Sequence, residues 1–237
     1  MLEQVPFSVS LLFILITLTT YGFFVAAVLT AQSAKVKGRA HFVALALLMW
    51  IIFQSTLSLN RWYMDRDASP PHLMFPLVST LVILSLLFLL PSGRRFLAGL
   101  NSGVLTLLHI VRIPVEIGLY LLATWKQVPW SMTFSGINFD MISGITAPII
   151  WWLGYHKKVL PKGVLVAWNV AALALLLIVV VRGIGAVPSP IQSWDFDQPN
   201  YAVMHFPFSW LPSLIVPLVF FSHVTLLFQL LKPSSKN

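Results

Sequence analysis

The sequence predicts an all-α membrane protein: a bundle of seven transmembrane helices in a single domain over residues 1–237, with the N-terminus outside and the C-terminus cytoplasmic. Three observations carry this. The chain is 58% hydrophobic with a mean hydropathy of +0.86. Only 9% of its residues are charged, where a soluble domain carries about 25%. The apolar residues also fall into seven runs, most of them near the roughly 20 residues that cross a bilayer.

The runs are Phe7–Ala31, Phe42–Leu59, Leu73–Leu90, Val104–Thr124, Asn138–Tyr155, Val164–Val181 and Pro207–Leu231. The first is expected to be a mature transmembrane helix rather than a signal peptide: MLEQVP lacks a positive n-region and carries Glu3, and the apolar run is long for an h-region. The second holds Gln54, Ser58 and Arg61 at i, i+4 and i+7 on its outward half. The third is almost wholly apolar. The fifth opens with Asn138, Asp140 and Ser143, and the sixth ends at Arg182 with Asn169 deeper. The seventh contains Pro207, Pro212, Pro217 and His223; prolines are common in membrane helices and read first as kinks.

Orientation follows from the cations. Connections after runs one, three and five, with the tail, hold Lys35, Lys37, Arg39, Arg94, Arg95, Lys157, Lys158, Lys162, Lys232 and Lys236, and no acid. The acids Glu3, Asp65, Asp67, Asp140, Asp195 and Asp197 all fall on the other side. The positive-inside rule places the basic side in the cytoplasm. Trp62, Trp125, Trp130, Trp194 and Trp210 mark an outer aromatic belt. The net charge of +8 therefore sorts by membrane side rather than forming a nucleic-acid face, and the expected partner is the lipid bilayer. The outer connections are longer, and residues 184–205 are long enough to fold over the bundle mouth as a lid.

The fourth run carries the chemistry. His109, Arg112, Glu116 and Tyr120 share one helical stripe, and Arg112 and Glu116 are i,i+4 neighbours able to pair, with Pro114 between them. Charges at bilayer depth cost roughly 2.5–3.5 kcal/mol each on insertion scales, so such residues face a bundle interior or a wet cavity and mark sites by default. Together with Arg61, Asn138, Asp140 and Arg182 they define a candidate polar pocket open to the outer side. Three arginines against two carboxylates suit a small anionic ligand, because the guanidinium fork holds carboxylate or phosphate bidentately. The expectation is binding or translocation of such a ligand.

The residues leave two alternatives open. One is a membrane enzyme with His109 or Glu116 as acid–base group, or a haem or metal held by His109 and His223. Those two are the only histidines within the runs. At 1.5 Å per residue, His223 lies about 13 Å in from Lys232 and His109 about 9–21 Å in from Gly103 or Arg95. No cofactor is the leading expectation. The other alternative is a structural or partner-binding subunit.

Several chemistries are excluded. No cysteine is present, which removes disulfides, thiolate nucleophiles and Cys-ligated metals. Every lysine lies in a connection or the tail, so the retinal-binding lysine of a rhodopsin is missing. Asp-Arg-Tyr, Asn-Pro-x-x-Tyr, H-x-x-x-H, H-E-x-x-H, Gly-x-Ser-x-Gly and P-loop patterns are all absent. No inverted repeat is visible.

At HIVRIPVE (109–116), NFDMISGITAP (138–148), WN (168–169) and VPLVFFSH (216–223) the second half of the chain resembles a group of small bacterial polytopic membrane proteins of uncharacterised activity. The resemblance implies a bacterial inner-membrane setting. It carries over no catalytic residue.

Overall fold

The computed structural model describes residues 2–232, and among these every regular element is helical. Eight helical segments run in order: α1 (Phe7–Leu29), α2 (Ala34–Leu59), α3 (Met74–Leu89), α4 (Pro91–Gly99), α5 (Ser102–Thr124), α6 (Met141–Ile150, continued by a wider turn over Trp151–His156), α7 (Lys162–Gly185) and α8 (Leu211–Leu231). Five of them, α1, α2, α5, α7 and α8, are long and apolar enough to cross a membrane. A sixth span results if α3 and α4 count as one segment bent by 100°.

Each of the seven expected runs is helical, but two are shorter than a regular span. Leu90 is extended and Pro91 opens a new helix, because proline suits a first turn and its predecessor avoids helical backbone. The corner closes over Gly93, where an added Cβ would run into the Leu87 carbonyl oxygen. In the fifth run, helix starts only at Met141, because Asn138 and Asp140 are drawn into side-chain bonds described below.

Prolines set the other irregularities. In α5, Pro114 has no N–H for the Ile110 carbonyl and its ring crowds that turn, and residues His109–Val111 tighten into a 3₁₀ turn. In α8, Leu211–Ile215 widen into a π turn that contains Pro212 and ends before Pro217. Pro217 leaves the Ser213 carbonyl without its helical donor, and the Trp50 indole N–H donates to it at 2.7 Å.

α5 and α8 are the centre of the bundle, each 56% buried over its most apolar stretch, against 17% for α2 and 22% for α7. α1 packs against α5 through Gly118, whose missing side chain admits the Phe13 ring. α6 lies on the 3₁₀ turn of α5 through Gly144, where a Cβ would sit 2.9 Å from Ile113 and 3.3 Å from the His109 carbonyl. Residues 186–210 fold back onto residues 123–138: the Gln198 amide donates to the carbonyls of Ala123 (3.0 Å) and Val128 (2.6 Å), Ala202 N–H to the Gln127 carbonyl (2.9 Å), and Ser131 to Asp195 (2.7 Å).

Candidate functional site

The polar residues of α5 meet those of α6, α7 and α8 in one buried network. Arg112 points across the bundle to Asp140, its Nε donating to Oδ2 at 2.7 Å and its Nη2 to Oδ1. Nη2 also donates to the Ala172 carbonyl of α7 at 2.9 Å, and Nη1 to His223 Nε2 at 3.2 Å. Four of the five guanidinium donors are thereby used. Because arginine only donates, His223 Nε2 is an acceptor and its proton sits on Nδ1, which donates to Asn169 Oδ1 at 3.0 Å. Asn169 in turn donates to the Leu165 carbonyl at 2.9 Å.

Arg112–Asp140 is the only ion pair among the described residues. The expected Arg112–Glu116 pair does not form. Helical spacing puts Glu116 on the right face, but Asp140 reaches the guanidinium squarely enough to bind both arms, and Glu116 accepts instead from the Asn138 amide. Asn138 joins the two carboxylates. Its Nδ2 also donates to the Met132 carbonyl (2.9 Å), while its Oδ1 accepts the Asp140 backbone N–H (2.9 Å) and sets the start of α6.

His109 stacks on His223, ring centroids 3.8 Å apart and planes within 18°, with Trp168 edge-on at 5.6 Å. Neither ring nitrogen of His109 has a partner among the described residues, nor has Glu116 Oε2, Ser143 Oγ or Thr225 Oγ1. Buried polar atoms are nearly always bonded, so the unpartnered nitrogens of His109 and the free oxygen of Glu116 are unusual. His109, Arg112, Glu116, Asn138, Asp140, Asn169 and His223 are each at most 5% exposed. The cluster is sealed, where the sequence suggested a pocket open to the outside.

The remaining candidates lie elsewhere. Arg61 is exposed in a left-handed turn (φ 60°) just past α2. The guanidinium of Arg182 lies over the Trp194 ring, 5.7 Å from its centroid, at the C-terminal end of α7. Tyr120 stacks on Phe134 at 5.0 Å and meets Trp130 edge-on. The cluster thus has one arginine rather than three. Asn169 was visible in the sequence as an amide inside an apolar run; the Ala172 carbonyl had no signal at all.

The histidine pair does not fit a haem. Axial imidazoles point their nitrogens at an iron between them, with the macrocycle separating the rings, whereas these rings lie face to face in contact. Among the described residues no group of three or more His, Asp or Glu side chains is placed to hold a metal ion.

The fold and this cluster define an all-helical protein with membrane-length apolar helices and a buried polar network holding one ion pair. Comparison with protein-family models, with curated proteins and with solved structures finds no match for this chain.

Proposed function

We propose that the chain is a multi-pass inner-membrane protein of seven membrane segments, N-terminus outside and C-terminus cytoplasmic, that binds or translocates a small anionic ligand at the Arg112 network. The observation that carries this is the bidentate Arg112–Asp140 pair set beside unfilled polar atoms of His109 and Glu116 on α5, one of the two most buried helices. Intramembrane ionisable groups mark ligand or proton pathways. The basic connections support the orientation, since Lys35, Arg39, Arg94, Arg95 and Lys232 gather at one end of the bundle.

Asp140 already occupies the fork of Arg112, so an incoming carboxylate or phosphate replaces it. The displaced Asp140 carboxyl is tolerated in the sealed interior only when it takes up a proton. Charge is conserved: one ion pair before, one ion pair and one neutral acid after. Binding is therefore linked to uptake of one proton. Access requires the connection over residues 186–210 to part from residues 123–138.

A second reading rests on the four filled donors of Arg112: the pair locks four helices together and binds nothing. Asp140→Asn separates the two, because it keeps the shape and frees the guanidinium charge. Thermal unfolding of the purified protein with acetate, lactate and inorganic phosphate is the measurement. The expected result is anion-dependent stabilisation of the native chain at pH 5 but not pH 7, of Asp140→Asn at both, and of Arg112→Gln at neither. Insensitivity of all three proteins to all three anions favours the lock.

A further inference from the structure

The opposite end of the bundle holds a second feature, built from residues the network does not use. α4 leaves α3 at 100° and so lies across the end of the bundle rather than along it. It buries Gly93, Phe96 and Leu97 and exposes Arg94 and Arg95. Between α4, the start of α2 and the end of α8 lies an open basin of about 1000 Å³, ringed by Lys35, Arg39, Arg94, Arg95 and Lys232, with the hydroxyls of Ser33 and Ser92 on its wall. No acid lines it. None of these five cations has a carboxylate within 4.0 Å among the described residues, since the one ion pair there is Arg112–Asp140.

Phe96 forms a wall of this basin and also of a neighbouring groove of about 360 Å³. That groove is apolar, walled by Phe24, Leu47, Trp50, Leu87 and Phe221, and runs along α1, α2, α3 and α8. Five cations without counter-charges thus adjoin a slot for hydrocarbon. A free phosphate would satisfy the first feature and leave the second unexplained. An acyl chain alone would do the reverse. An amphiphile with a phosphate head satisfies both, and interfacial basic pockets between membrane helices are where such heads bind.

We propose that this face binds an anionic glycerophospholipid, its headgroup phosphate in the Arg94–Arg95–Lys35–Arg39–Lys232 basin and one acyl chain in the groove beyond Phe96. The interfacial helix α4 then acts as the clamp that positions the head.

The test is native mass spectrometry of the delipidated full chain with added dioleoyl phosphatidylglycerol, dioleoyl phosphatidylcholine or glycerol 3-phosphate. The first should be retained, the other two much less. Arg94→Gln with Arg95→Gln removes two cations worth about fivefold each, so retention of phosphatidylglycerol should weaken roughly 25-fold. Ala46→Trp fills the groove from its exposed wall and should weaken retention with the charge unchanged. Arg112→Gln should leave lipid retention as it is, which separates this site from the anion network. Equal retention of the two lipids, a preference untouched by both basin and groove variants, or glycerol 3-phosphate binding as tightly as the lipid would each overturn the proposal.

Discussion

α5 and α2 are both long and apolar, yet they differ in nearly every other respect. α2 has 26 residues with 17% of its apolar stretch buried, and it runs as unbroken α-helix from Ala40 to Leu59, with Phe42, Leu45, Met49 and Ile52 exposed along it. α5 is 56% buried, breaks at a 3₁₀ turn and carries an arginine, a glutamate and a histidine inward. The polar groups follow the difference. α2 keeps its buried amide local, with Gln54 accepting from Tyr63 nine residues away, whereas Arg112 is bonded to three other helical segments. The peripheral helix holds its place through apolar side chains and a few neutral bonds, such as Trp50 to the Ser213 carbonyl and Ser209 to Ser58. The central one depends on tertiary polar partners, and the comparison can be broken at that point.

The largest expected effect comes from Arg112→Met. It strands the Asp140 carboxylate in the interior, which costs about 3–5 kcal/mol when one partner of a buried pair is removed. The double variant Arg112→Met with Asp140→Leu should recover most of that, since hydrophobic replacement of a whole buried pair is often neutral. Arg61→Met, on the exposed turn past α2, should stay within about 0.5 kcal/mol. Unfolding in detergent measures all three. A single variant as stable as Arg61→Met would mean that the centre does not depend on its charges.

Next in size is a pair of glycines. A Cβ at Gly118 of α5 would lie 2.6 Å from the Phe13 ring, and that ring is fully buried and held edge-on by Phe208 at 5.0 Å. Gly118→Ala should therefore cost about 1–3 kcal/mol as overpacking. At Gly22 of α1 nothing lies within 4 Å, and Gly22→Ala should shift stability by no more than about 0.5 kcal/mol. Equal melting temperatures for the two variants would show that α1 and α5 are not closely packed.

These contrasts show what could be read from the chain and what could not. Helix positions follow from local composition, and the helical character of all seven runs was legible. Span number is harder, because Pro91 and the Asn138–Asp140 turn divert chain that composition alone assigns to a span. At the site, the helical period correctly put His109, Arg112 and Glu116 on one buried face. It could not choose between Glu116, four residues away, and Asp140, twenty-eight away, as partner of Arg112. That choice depends on Gly144 letting α6 approach the 3₁₀ turn, a tertiary fact. Depth counting set His109 and His223 at similar levels, and the rings do meet. Depth alone carries no ring orientation, so it could not distinguish stacking from ligation. Arg61 and Arg182 were grouped with Arg112 by membrane side, and a side is not a contact.

The smallest expected effect lies in the connection over the bundle, where pH should act on His205. Its Nδ1–H donates to the Tyr201 carbonyl at 2.9 Å. Burial pushes this imidazole below the usual histidine range; the Tyr201 bond pulls it back, and the cations Arg66 and Arg61 push it down further. The sign follows from proton counting. Above about pH 6.5 the imidazole is neutral in folded and unfolded chain alike, and pH has no leverage through it. Below that value the unfolded chain takes up a proton that the folded chain resists, so stability falls as pH drops towards the folded value. His205→Gln removes this slope and keeps a polar side chain. Melting temperatures from pH 7.5 to pH 5 should therefore run together for native and His205→Gln protein above about pH 6.5 and separate below it, with the native chain losing more. Parallel curves throughout would mean that the cover opens freely enough to solvate His205, and that the connection closing the bundle is less firmly seated than its bonds to Ala123 and Val128 imply.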